Sequence, residues 1–177
     1  VYKRQESMLP YERRLHHILT DFMSNCTEVT SPFIVKREVK KVAVVVFASN
    51  TSLCGGFNAN VIRHLVDLLA EYKPLGLENI LVFPVGKKVA DAVRKLGFRI
   101  EGDFQHMADK PSYQEAADLA ADLMKRFLHG DVDKVELLYN HFKSTASQIL
   151  TRETYLPIDL NNEKKEEERT IDYILEP

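Results

Sequence analysis

The side chain best placed for chemistry is Cys54. It stands in the run Ser49-Asn50-Thr51-Ser52-Leu53-Cys54-Gly55-Gly56-Phe57-Asn58, between an apolar segment and a helical pattern that starts at Ala59. A thiol just ahead of a helix feels the positive end of the dipole and can be drawn toward thiolate. A cysteine nucleophile also needs a base. The six histidines (16, 17, 64, 106, 129 and 141) offer candidates, but no spacing singles one out. A small buried hydrophobe is the plainer expectation for Cys54.

Glycine turns between a strand and a helix often hold phosphates, because backbone N–H groups converge there. This one lacks the pattern of a phosphate loop, with no Lys after the glycines and no Ser/Thr placed for magnesium. It also lacks G-x-G-x-x-G: Gly55 and Gly56 are adjacent, and Ala59 stands four positions beyond Gly55. The second strand runs into Pro84-Val85-Gly86-Lys87 without the acidic residue that a ribose would need. The expectation is that Gly55-Gly56 makes a tight turn and lets the backbone approach its neighbour closely. The histidines show no H-x-x-x-H spacing and no C-x-x-C accompanies them, so no metal site is expected. Asp109, Asp131 and Asp133 read as turn residues, and no paired carboxylates stand out for acid–base work. No catalytic, cofactor-binding or metal residue is assigned.

The elements around this turn are legible from periodicity. Val42 to Ala48 is seven consecutive apolar residues, the pattern of a strand covered on both faces. The helix after the turn carries Val61, Ile62, Leu65, Val66, Leu68 and Leu69 toward the core, with Asn58 as its expected N-cap. Pro74 and Gly76 end it. Asn79 to Val85 is a second strand, and a short helix follows with Val89, Val93 and Leu96 on one side and Gly97 at its C-cap. Residues 98–111 read as a short strand and a loop. Ser112-Tyr113-Gln114-Glu115 has the form of a capping box and starts a helix with Ala116, Leu119, Ala120, Leu123, Met124 and Phe127 inward, closed by Gly130. Lys134 to Phe142 is a strand with Val135, Leu137 and Tyr139 alternating against Glu136 and Asn140. Gln148 to Ile158 is expected to return antiparallel, Asn161 to Arg169 is a charged loop, and Thr170 to Leu175 is a last short strand.

Residues 1–25 form a helix whose Leu15, Ile18, Leu19 and Phe22 make an apolar stripe; Pro10 is either in its first turn or at a kink. The stripe packs on the sheet or on a partner helix in a coiled coil. The fold class is α/β, a three-layer-like sandwich with a mostly parallel, Rossmann-like sheet and an added N-terminal helix. The boundaries are 1–25 for that helix and 26–177 for the globular domain.

At 177 residues, 45% apolar and 28% charged, the chain suits one domain with an appendage. A net charge of −2 argues for neither nucleic acid nor an anionic membrane surface. No run approaches the roughly 18 to 20 apolar residues of a membrane span, and no signal peptide is seen. Two cysteines, Cys26 and Cys54, suit a reducing compartment. The start at Val1 and the stop at Pro177 suggest a piece of a longer protein.

The turn Ser49 to Asn58 resembles the signature of the gamma subunit of F-type ATP synthases, which usually reads Ser-Asp-x-Gly-Leu-Cys-Gly-Gly-Phe/Tyr-Asn. Glu38-Val39-Lys40-Lys41-Val42, Val85-Gly86-Lys87-Lys88, Phe142-Lys143-Ser144, Leu156-Pro157-Ile158 and Asp172 to Pro177 fall in the same order as in that family. Asn50 stands for the usual Asp and Ser52 for the usual Gly, so no carboxylate stands at that place in the turn. The insert Glu163 to Arg169 is decoration, and the family's long terminal helices are nearly absent.

The resemblance implies a mechanical role without an active site or cofactor: a central-stalk rotor subunit of a proton-translocating complex, passing torque between the membrane rotor ring and the catalytic hexamer. The implied partners are the alpha and beta subunits through the terminal helices, and the epsilon subunit and rotor ring through the globular domain. No nucleic acid and no direct membrane insertion are implied; the implied place is the cytoplasmic face of the bacterial inner membrane. Residues 1–25 then become the remnant of a coiled-coil shaft, and the Leu15 to Phe22 stripe lacks its partner. The alternative, from the residues alone, is a small α/β enzyme using Cys54, a thiol hydrolase or a phosphate-binding transferase.

Overall fold

The computed structural model describes residues 31–52, 56–144 and 147–159, together with Pro10 and Arg14. The chain divides into two compact units. The larger, Lys36–Pro157, holds a five-stranded sheet in the order β3-β2-β1-β4-β5. Its elements run β1 (Val42–Phe47), α1 (Phe57–Tyr72), β2 (Ile80–Val85), α2 (Lys87–Lys95), β3 (Arg99–Ile100), α3 (Gln105–Asp109), α4 (Tyr113–His129), β4 (Lys134–Ser144) and β5 (Ser147–Leu156). Strand β1 pairs parallel with β2 and with β4, β3 pairs parallel with β2, and β5 returns antiparallel along β4. This is the expected mostly parallel α/β sheet.

The unbroken apolar run of β1 is central, and Val42 through Val46 are buried on both faces of the sheet. Successive strand side chains point to opposite faces. Val42, Val44 and Val46 join Ile80 and Val82 in a core with Val61, Leu65, Leu68 and Leu69 of α1 and Val89 and Val93 of α2. On the other face Phe83 packs near Phe104, and the Arg126 guanidinium of α4 lies 5.4 Å from the Phe83 ring centroid. Helix α4 buries Leu119, Leu123 and Phe127. Each such side chain contributes about 1.5 to 3 kcal/mol relative to exposure.

The helix ends follow the sequence closely. Ser112 Oγ accepts the Glu115 N–H (3.2 Å) and donates to the Glu115 carboxylate (2.9 Å), so the capping box closes through the hydroxyl. Gly97 and Gly130, both at φ +77°, end α2 and α4. Helix α1 stops at Tyr72, and a 3-10 turn through Pro74 leads to Gly76.

Four expectations are corrected. The core stripe of α1 is narrower than expected, since Val66 is 40% exposed and Ile62 only half-buried. The segment 98–111 holds a helical turn, α3, besides the two-residue β3; its one buried side chain, Met107, was too little periodicity to read. Asn58 lies inside the first turn of α1, where the N-cap is Gly56, so it cannot cap the helix. Glu136 is a core residue and is treated below.

The second unit takes in Val1–Val35 and Ile158–Pro177 and is described at 31–35 and 158–159. There Ser31 Oγ accepts the Phe33 N–H at a 3-10 turn, and the Ile158 N–H donates to the Phe33 carbonyl at 2.8 Å. The expected 1–25 helix with its Leu15 to Phe22 stripe, the charged insert and the Thr170 to Leu175 strand lie outside the described residues, save for Pro10 and Arg14.

Candidate functional site

Two polar assemblies stand where function could sit: the loops at the carboxyl ends of β1 and β2, and a charged cluster between α1, β4 and β5. The first is the place at which an open parallel sheet ordinarily binds its ligand. Here the N–H groups of Ser49 and Lys87 face side chains of the chain itself. The Ser49 N–H donates to Asn58 Oδ1 (3.0 Å), and Asn58 Nδ2 donates to the Thr51 carbonyl (2.8 Å). The side chain expected to cap α1 therefore folds the β1–α1 loop onto the strand exit. Asn50 Oδ1 accepts the Lys87 N–H at the start of α2 (2.7 Å), and its Nδ2 donates to the Gln105 carbonyl (2.8 Å).

Among the described residues, the glycine that lets two backbones meet is Gly86 rather than Gly56. Gly56 has φ −76°, and among the described residues a Cβ there would meet Asn60 Nδ2, at 3.7 Å. Gly86 has φ +114°, and a Cβ would overlap the Ala48 carbonyl. The Ala48 N–H also donates to the Val85 carbonyl at 2.9 Å, which holds the β1 exit against this bend. Cys54 and Gly55 lie outside the described residues, so the geometry of the thiol is not at issue here.

The second assembly centres on Glu136, 2% exposed. Its carboxylate accepts from Tyr72 Oη (2.8 Å), Lys134 Nζ (2.6 Å) and Arg152 Nε (2.9 Å). Arg152 Nη1 reaches on to Glu71 at 2.8 Å, and Lys134 Nζ also donates to Tyr72 Oη at 3.0 Å. Burial alone would push the Glu136 carboxyl up; the hydrogen bonds from Arg152, Lys134 and Tyr72 outweigh it and hold the group below its usual range. Burial likewise disfavours charged Lys134, yet Glu136 and Tyr72 hold its ammonium above the ordinary value. Burial raises the Tyr72 phenol. All charges here are matched, so the cluster fastens α1 to β4 and β5 and offers no idle acid or base. Alternation along β4 had placed Glu136 toward solvent. The missed signal was Lys134-x-Glu136 on one face of a strand, with Arg152 on a neighbour that also carries Glu153.

Asp133, read as a turn residue, is an anchor. Its carboxylate accepts the N–H groups of Lys40 and Lys41 (3.0 Å each) and pairs with Arg37 at 2.8 Å. Arg37 also donates to the Phe127 and Val132 carbonyls and stacks 4.4 Å from the Phe127 ring centroid. Of the histidines, His64 contacts the Asn60 carbonyl, His106 faces Glu115 and His141 meets the Tyr139 ring. These three histidines have different partners on different elements. Among the described residues no group of three or more His, Cys, Asp and Glu could hold a metal ion.

The family model described as ATP synthase matches residues 1–177. The chain belongs to the ATP synthase gamma family. It is 76% identical over 174 residues to the ATP synthase gamma chain of Phocaeicola vulgatus, covering 97% of this chain and 60% of that one. It is 54% identical over 183 residues to the gamma chain of Bacteroides thetaiotaomicron, with 97% and 61% covered. The chain thus spans about three fifths of the length of these relatives. A solved chain from the central stalk and ring of the Tetrahymena thermophila mitochondrial ATP synthase shares the fold, with TM-score 0.54, 18% identity, and 88% of this chain and 71% of that one covered. Asn50, in the run that resembles the family signature, is bonded through both atoms of its amide. No finding favours the alternative of an enzyme built on Cys54.

Proposed function

We propose that this chain is the globular part of a central-stalk rotor subunit of a proton-translocating F-type ATP synthase. It passes torque between the membrane rotor ring and the catalytic hexamer, and it is not itself catalytic. The observation that carries this reading is the match to the family along the whole of residues 1–177. The geometry supports it physically. A torque-bearing domain needs stiffness, and here the helices are tied to the sheet by Glu136, Asp133 and Asn50 rather than by apolar packing alone.

In this reading the globular domain meets the epsilon subunit and the rotor ring, and helices at the two chain ends reach the alpha and beta subunits. Residues 1–25 belong to the coiled-coil shaft and 26–177 to the globular domain. The subunit works at the cytoplasmic face of the bacterial inner membrane as a peripheral component. Among the described residues no helix is long and apolar enough to cross a membrane. The turn at Gly55-Gly56 holds no nucleotide or cofactor. Co-expression of the full-length subunit with alpha, beta and epsilon subunits, followed by affinity capture on beta, tests this. Stoichiometric recovery in one complex is expected; a subunit that never associates overturns the reading.

A further inference from the structure

We propose that Asn50 is a two-way latch, seating α3 and the start of α2 against the β1–α1 loop, and that the position demands a group that donates and accepts at once. Its Oδ1 accepts from Lys87, 37 residues on, and its Nδ2 donates to Gln105, 55 residues on. Local capping is sparse: at α3 the Gln105 N–H donates to Asp103 Oδ1 at 3.2 Å, a bond that ties the helix start to its own loop and not to β1. The N-cap of α2 is Gly86, which has no side chain, and the N-cap of α3, Phe104, makes no side-chain cap. Helix α3 has five residues and one buried side chain, Met107. A helix that short does not persist by itself, so tertiary bonds of this kind set its position.

The chemistry of the position is selective. A carboxylate could still accept from Lys87 and would suit the helix N-terminus. Ionised, it has no proton to give Gln105 and would face a carbonyl oxygen with a negative charge. Protonated, it regains a donor. The latch therefore distinguishes an amide from an acid of the same shape, and it does so at α3 while leaving α2 capped. It stands independently of the rotor reading, since it needs only the fold.

The test uses the full chain with Asn50→Asp and Asn50→Ala, followed by amide protection factors between pH 3.5 and 7. At pH 7 the Asp variant is expected to keep protection at Lys87 while amides at 107–110 exchange roughly tenfold faster, the effect of a lost hydrogen bond and of a carboxylate set against the Gln105 carbonyl. As pH falls through the carboxyl range, protection of α3 relative to the parent chain returns. The Ala variant loses protection at both places with no return. Equal α3 protection in all three chains at pH 7 overturns the latch, as does loss in the Asp variant without recovery at low pH. Should Asn50→Ala fail to fold, the Asp titration alone decides.

Discussion

Replacing Glu136 by Gln tests the charged cluster with little change of volume. The carboxylate accepts from three side chains, while an amide offers one acceptor oxygen and turns an NH2 toward Arg152 or toward Tyr72 and Lys134. Charge-assisted hydrogen bonds are each worth about 1.5 to 3 kcal/mol, and removing one member of a fully buried pair costs about 3 to 5 kcal/mol. The Lys134 and Arg152 side chains keep 25% and 38% of their exposure, so water takes up part of the loss. About 2 to 3 kcal/mol is the expected cost. At roughly 2 to 4 °C per kcal/mol for a chain of this size, Tm falls by about 4 to 12 °C. Urea denaturation followed by circular dichroism measures it. Glu71→Gln is the control: Glu71 is exposed and touches only the far side of Arg152, so its loss costs under about 0.5 kcal/mol. A Glu136→Gln chain within 0.5 kcal/mol of its parent would refute the claim that this cluster fastens α1 to β4 and β5.

The same cluster sets a pH dependence. Glu136 has a depressed native pKa, so its contribution is full above the unfolded value of about 4.3 and is lost as pH falls through that value toward the native one. The stability gap between parent and Glu136→Gln should therefore shrink below about pH 4.5 in urea titrations. Gly86→Ala combines a positive φ with a clash against the Ala48 backbone and should cost about 3 kcal/mol or more, whereas Gly56→Ala should change stability by under about 1 kcal/mol; thermal melts of the two order them. Arg37→Ala strips a cap from the end of α4 and leaves Asp133 without its cation, and a loss of about 1 to 3 kcal/mol is expected by urea titration.

Apolar periodicity made the sheet legible, because β1 and β2 are buried on both faces and have no polar positions to confuse the pattern. Helix α4 was equally plain, since Ser112 and Gly130 mark its ends chemically. What was not legible depended on partners far away in the chain. Asn58 has the right residue type for a cap, but the helix begins one residue earlier and the loop claims its amide. Glu136 obeys the alternation of a half-exposed strand and is buried only because Lys134, Arg152 and Tyr72 converge on it from three elements. The adjacent glycines 55 and 56 drew attention to their turn, of which Gly56 is described and has room for a Cβ among the described residues; a close backbone approach falls at Gly86, where β2 bends beside the β1 exit. The resemblance carried what periodicity does not: a family, and with it a mechanical reading of a fold that often binds nucleotides.

Single-molecule rotation bears on the central claim most directly. The full-length subunit carrying this chain is assembled with alpha, beta and epsilon subunits on an immobilised hexamer, with a probe fixed to the exposed Tyr113 position of α4. Unidirectional rotation of the probe that requires ATP, and that persists unchanged when Cys54 is replaced by Ser, is the expected result. A probe that stays still while the assembled complex hydrolyses ATP would contradict the account.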